Sequence, residues 1–157
     1  MSELIEHSQV HATFVIERHY PHRPEQVWHG LSDNAAREQW FGAGDAFAIH
    51  KKSHDFRVGG RAYEDGQWHG GPRSTFSATY TDIVELKRIV STYDMWVDGG
   101  HLSTSLTTIA LEPDGDGTQL TYTEQGVHFD GLVSVEGREQ GTRGLLDQLA
   151  TYLGAAK

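Results

Sequence analysis

Residues 75–125 read TFSATYTDIVELKRIVSTYDMWVDGGHLSTSLTTIALEPDGDGTQLTYTEQ, and this stretch decides the fold. Four segments within it are long and rich in β-branched or aromatic side chains: Thr75–Val84, Arg88–Val97, Leu102–Glu112 and Thr118–Gln125. Turn chemistry separates them. Asp98-Gly99-Gly100 and Pro113-Asp114-Gly115-Asp116-Gly117 are the plainest turns. Successive hairpins of this kind build an antiparallel sheet.

Downstream of the stretch the chain reads as a helix. Thr142, Leu145, Leu146, Leu149, Tyr152 and Leu153 keep the spacing of a one-sided apolar stripe. Asp130 is placed to cap the start, although Gly131, Gly137, Gly141 and Gly144 weaken the first half. Upstream, His11–Tyr20 reads as a strand ended by Pro21. Pro24 opens a short helix at a first-turn position, with Glu25 beside it and Val27, Trp28 and Leu31 on one face. Asp33 is set to cap a second short helix through Ala36–Trp40. Ala46–His50 is a weak strand. Asp55–Val58 and Arg61–Glu64 read as two strands of a Gly59-Gly60 hairpin, and Gly66–Arg73 reads as a loop. The order is strand, two short helices, six-strand meander, long helix. A sheet with one apolar face must bury it, and the final helix is the element long enough to do so. We therefore expect an α+β domain over residues 11–157, preceded by a flexible tail over residues 1–10. Between a bent sheet and its helix, space for a small molecule is expected.

Composition limits the function. Among 157 residues, 13 Lys+Arg against 22 Asp+Glu give a net charge of −9, a poor match to phosphate backbones or anionic membranes. We expect neither nucleic acid nor membrane as a partner. The chain has no cysteine, which excludes disulfides, thiol catalysis and thiolate metal sites. The first ten residues lack the apolar core of a secretory signal, so a cytoplasmic location is expected. The ten histidines would carry the net charge to about +1 if all were protonated. They include the clusters His7/His11, His19/His22 and His50/His54, yet no HExxH pattern occurs; no metal and no cofactor are expected.

Several motifs, in order, resemble one family. They are Phe14-Val15-Ile16-Glu17-Arg18, Pro24-Glu25-Gln26-Val27-Trp28 and Gln39-Trp40-Phe41-Gly42; then Asp55-Phe56-Arg57-Val58-Gly59-Gly60-Arg61, Thr79-Tyr80-Thr81-Asp82-Ile83 with Arg88-Ile89-Val90, Gly117-Thr118-Gln119-Leu120-Thr121, and Gly141 with Leu145-Leu146-Asp147-Gln148-Leu149. The chain resembles, from about Thr13 to Leu153, the heat-shock-protein-90 ATPase activator-like (AHSA) family of the START/Bet v allergen-like (SRPBCC) superfamily. The resemblance implies a helix-grip fold. It departs at Gly141-Thr142, where the family often has Gly-Trp; a missing indole should enlarge or reshape the pocket. Related folds bind lipids, hormones or polyketides, and a few catalyse cyclisation or hydration. Eukaryotic members carry a further chaperone-binding domain.

In the register the resemblance implies, three strand faces turn toward the helix: Ile89, Ser91, Tyr93, Met95; Ser105, Thr107, Ile109, Leu111; and Thr118, Leu120, Tyr122, Glu124. They mix apolar with hydroxyl and carboxyl groups, which fits either a partly polar cavity or a wet sheet end. Arg138 falls near the centre of the helical stripe. It either pairs with Glu124 or Glu139, meets an anionic ligand, or stays wet where the helix overhangs. Candidate ligand-binding residues are Trp40, Phe41, Phe56, Trp68, Phe76, Tyr80, Ser91, Tyr93, Thr107, Tyr122, Glu124, Arg138 and Thr142, with Trp68 as a loop-borne lid. A catalytic set, if one exists, is drawn from Glu124, Arg138, Tyr93, Tyr122, His101 and His128. Three functions stand open. They are binding of a small, largely apolar or amphipathic molecule by a monomer or homodimer, a small cyclase, dehydratase or hydrolase, and a chaperone-interaction module.

Overall fold

In the computed structural model, which describes residues 6–42 and 44–155, β1 (Gln9–Tyr20) and β2 (Phe47–His54) lie at opposite edges of one seven-stranded antiparallel sheet. Between them run β7 (Gly117–Phe129), β6 (Gly100–Asp114), β5 (Arg88–Val97), β4 (Arg73–Val84) and β3 (Arg61–Trp68), in that order from β1. β2 to β7 form a continuous meander, and β1 closes onto β7 with Phe14 opposite Glu124. The chain must therefore pass from one edge to the other between β1 and β2. It does so through α1 (Pro24–Ser32) and α2 (Asn34–Trp40). α3 (Val135–Ala155) packs against both helices and β1, completing a curved sheet wrapped on a long helix.

The helices begin and end for local reasons. Pro24 sits in the first turn of α1, and Asp33 Oδ2 accepts from the Ala36 N–H to start α2. α3 starts later than the sequence suggests. Ser134 Oγ accepts from Gly137 N–H at 2.9 Å, whereas Asp130 takes the Ser8 N–H at 2.8 Å and His7. The stripe on α3 buries Arg138, Thr142, Leu146, Leu149 and Leu153. Ile16 and Leu120 of the sheet and Leu149 of the helix are fully buried, each burial contributing about 1.5–3 kcal/mol. Tyr20 Oη donates to the Leu146 carbonyl at 3.0 Å and ties β1 to the helix.

Several strand boundaries also differ from expectation, with β4 starting at Arg73, β6 spanning Gly100–Asp114 and β7 running on to Phe129. β1 starts at Gln9, so Gln9 and Val10 of the expected tail are strand; residues 1–5 lie outside the described ones. β2 extends to His54; it is an edge strand exposed along most of its length, with Lys51 and Lys52, so no hydrophobic alternation marks it. Asp55–Gly60 is the β2–β3 turn rather than half a hairpin. The Gly60 N–H bonds the Arg57 carbonyl at 2.8 Å, and a Cβ at Gly60 would lie 2.1 Å from the Asp55 carbonyl. Half of the expected Gly66–Arg73 loop is strand, and only residues 69–72 form the connection. Gly66, Gln67 and Trp68 belong to β3 and Arg73 to β4. Gly66 marks close packing instead, because a Cβ there would meet the Phe47 ring at 2.5 Å.

Candidate functional site

β5, β6 and β7 bring one cluster of polar side chains under the first turns of α3. The alternation reads as expected: Tyr93, Ser105, Thr107 and Glu124 are buried on the helix-facing side. Arg138 descends from α3 into this cluster, 8% exposed against 1% for Glu124. Its Nη1 donates to Tyr93 Oη at 2.8 Å and to Glu124 Oε2 at 3.3 Å, and its Nη2 donates to Ser103 Oγ at 2.6 Å. Glu124 Oε1 accepts from Tyr93 Oη and from Tyr122 Oη, each at 2.8 Å, while Oε2 takes Ser105 Oγ at 3.3 Å. Of the options for Arg138, the ion pair with Glu124 is realised; Glu139 pairs with Arg143. Burial and the neighbouring Glu124 charge push the Tyr93 phenol up, and burial with Tyr93 and Glu124 does the same for Tyr122.

Beside the cluster, a cavity of about 530 Å³ separates the sheet from α2 and α3. Of the expected binding residues, Trp40, Phe41, Trp68, Phe76, Tyr80, Ser91, Tyr93, Thr107, Tyr122, Arg138 and Thr142 line it. Ser91 and Thr107 spend their hydroxyls on each other at 2.7 Å. Thr142 Oγ1 donates to the Arg138 carbonyl at 3.0 Å, so the position where an indole would project holds a short side chain bonded to its own helix.

Two expected binding residues are elsewhere. Glu124 lies behind Tyr93 and Tyr122 and does not line the cavity. Phe56 packs edge-on against Trp28 and Tyr80, behind the wall, because the turn that carries it folds toward α1. Trp68 does line the cavity but from a strand end, 40% exposed, with its ring edge-on to Phe47. It is therefore not a loop-borne lid. Of the two catalytic histidine candidates, His101 stacks on Trp96 and meets Asp94 at 3.0 Å, away from the cavity. His128 is buried, its Nδ1 without a partner among the described residues, and burial lowers its pKa.

Two charged lining residues escape the reading of the sequence, Arg37 of α2 and Glu64 of β3. The Arg37 guanidinium lies 3.7 Å over the Phe41 ring. Burial lowers the Arg37 pKa and raises that of Glu64. Arg37 is one helical turn before Phe41, the residue that caps α2, so it follows Phe41 to the cavity; that i,i+4 spacing is the signal the sequence offers. Near them His54 Nε2 meets Tyr80 Oη at 2.7 Å, and its buried Nδ1 has no partner among the described residues.

Comparison with known proteins fits this geometry. The family model described as Activator of Hsp90 ATPase homolog 1-like protein matches residues 21–154. The chain belongs to that family. Among solved structures, protein Mll3558 from Rhizobium loti is 48% identical, with 92% of this chain and 99% of that one covered and a TM-score of 0.86. An uncharacterized protein from Rhizobium leguminosarum is 35% identical over 96% of this chain and 99% of that one, at a TM-score of 0.91. An AHSA1-like protein from Aeromonas hydrophila shares the fold at 22% identity and a TM-score of 0.67, over 92% of this chain and 93% of that one. No curated protein matches the chain. No helix among the described residues is long and apolar enough to cross a membrane.

Proposed function

We propose that this AHSA1-like chain binds a small, largely apolar molecule in the cavity between its sheet and α3. The observation that carries the proposal is the unfilled volume itself. Protein interiors pack with few voids larger than a water molecule. A cleft of about 530 Å³, partly open to solvent and walled by Phe76, Ala78, Ile89, Met95 and Leu145, is left unfilled by that packing and falls within the range of small-molecule sites. Its polar groups are few, so they orient a ligand rather than solvate it.

The saturation of Glu124 supports binding over catalysis. Glu124 is the candidate general base, yet it already accepts from Tyr93, Tyr122, Ser105 and Arg138 and is screened from the cavity. A base needs a free lone pair within reach of its substrate.

Native mass spectrometry on untagged protein from its own host tests the proposal, with Ala78→Phe as the control that fills the cavity. The expected result is a reproducible extra mass that Ala78→Phe loses while its circular dichroism stays native. A clean apo mass, together with no uptake of the apolar fluorophore 1-anilinonaphthalene-8-sulfonate, would overturn it.

A further inference from the structure

The cavity touches two guanidinium groups, and their surroundings differ. Arg138, over β5 to β7, is neutralised by Glu124, and its Nη atoms also meet Tyr93 and Ser103. Arg37, on the β3–β4 side, has no hydrogen-bond or ion-pair partner among the described residues. Its nearest acid on the wall, Glu64, is outside ion-pair distance, so its charge acts on Arg37 only across space and leaves the guanidinium without a contact partner. Lys52, which also acts on Glu64, is held by Glu38 at 3.0 Å. A part-buried cation without a counter-ion is destabilising until an anion meets it. Aromatic rings join the two ends: Phe41 meets Phe76 at 5.5 Å, and Phe76 meets Tyr93 at 5.1 Å.

Resting on the cavity-binding proposal, we infer that Arg37 anchors the carboxylate of an amphipathic ligand whose apolar body lies along Phe41, Phe76 and Tyr93. The ligand class is thus a monocarboxylate with an aliphatic or aromatic body, entered head toward α2. Arg138 holds the wall together and leaves its charge unavailable. A guanidinium offers a forked donor pair that matches a carboxylate, and such charge-assisted bonds are the stronger kind. Glu64 is a like charge to the incoming head and limits the site to one anionic group.

The probes are decanoate and its uncharged counterpart N-methyldecanamide, measured by displacement of 1-anilinonaphthalene-8-sulfonate from the whole chain. Wild type should prefer decanoate by about tenfold or more. Arg37→Met should remove that preference while leaving the amide affinity within about twofold, and Arg37→Lys should restore part of it. Glu64→Gln should tighten decanoate and leave the amide unchanged. Should Arg37→Met not fold, Arg37→Gln serves in its place. Equal binding of the two probes by wild type, or a preference that survives in Arg37→Met, overturns the inference and leaves the cavity proposal standing. Binding of neither probe, with Ala78→Phe indistinguishable from wild type, removes the cavity proposal and the inference with it.

Discussion

Arg138 on α3 and Glu124 on β7 form an ion pair at 3.3 Å, 8% and 1% exposed, between the helix and the sheet it covers. Two flanking phenols and two serine hydroxyls add hydrogen bonds to both carboxylate oxygens and both Nη atoms of the pair. Pairing and satisfaction together make such a charge tolerable inside a fold. The pair also places the first turns of α3 directly over β5, β6 and β7.

The two halves of this pair should respond unequally to truncation. A carboxyl that loses its partner can take up a proton; a guanidinium cannot. Glu124→Leu should therefore cost about 3–5 kcal/mol, and Arg138→Met less, because Tyr93, Tyr122 and Ser105 still donate to Glu124. The double variant should recover part of the loss, with a coupling of about 1–3 kcal/mol. Urea unfolding of the four proteins reads this. Additive losses would show that the pair carries no coupling.

His54 gives the fold an acid-sensitive point. Burial, with the nearby Arg37 charge, lowers its pKa from the ordinary 6.5 to about 4. The folded state thus keeps it neutral where the unfolded chain protonates. Stability is fully present above about pH 6.5 and falls as pH drops from there toward about 4. Allowing for its partial access to solvent, the loss is of the order of 1–2 kcal/mol. A nuclear magnetic resonance titration should place the His54 midpoint near 4, and His54→Gln should lose less stability than wild type between pH 7 and pH 5. A midpoint near 6.5 would contradict this. His128, also lowered by burial, adds a slope of the same sign that His54→Gln retains.

Periodicity explains which parts of the fold are legible in the sequence. Strands β5 to β7 and the α3 stripe have one more buried side, so spacing sets Tyr93, Thr107 and Glu124 on shared strand faces and Arg138 on the stripe, while the family resemblance is what turns those faces toward the helix. The chemistry of the cluster is only partly open to the same reasoning, because a cation on an apolar stripe pairs, meets an anionic ligand or reaches water, and the sequence leaves all three open. β2 is faint because an edge strand carries polar residues on both sides. Gly66 misleads because a glycine under an aromatic ring looks, in sequence, like a glycine in a loop. Phe56 is expected in the cavity and is not there, since its direction depends on a turn whose contacts with β4 are long-range. Arg37 goes unnoticed because a charge on a seven-residue helix reads as solvent-facing until the helix is docked.

Trp40 links three elements. Its Nε1 donates to the Gly30 carbonyl at 2.7 Å, and its own carbonyl accepts from Gln148 Nε2 at 2.6 Å. The indole therefore ties α2 to α1, while the backbone ties α2 to α3. Trp40→Phe keeps the backbone bond, removes the indole donor and shrinks a buried ring. A loss of about 1–3 kcal/mol is expected from the broken bond and the space left. Gln148→Ala should cost less, since its side chain is mainly exposed. Thermal unfolding of both variants checks the order, and a larger loss for Gln148→Ala would reverse the assignment.

Gly66 is where packing and the candidate site meet. Its missing side chain lets Phe47 lie against β3, and Phe47 in turn packs on Trp68 and lines the cavity. A methyl group at Gly66 would sit 2.5 Å from both the Phe47 ring and the Ala48 carbonyl. The ring can swing away, but the carbonyl belongs to the β2 backbone and moves only with the strand. Gly66→Ala should therefore cost about 2 kcal/mol or more and loosen the β2–β3 pairing. Hydrogen exchange should show faster amides in β2 and β3, with β5 to β7 unchanged. Gly66→Ala combined with Phe47→Ala should exchange as fast, because the carbonyl clash persists. If removing the ring restores protection, the strand is held by Phe47 alone and the backbone argument fails.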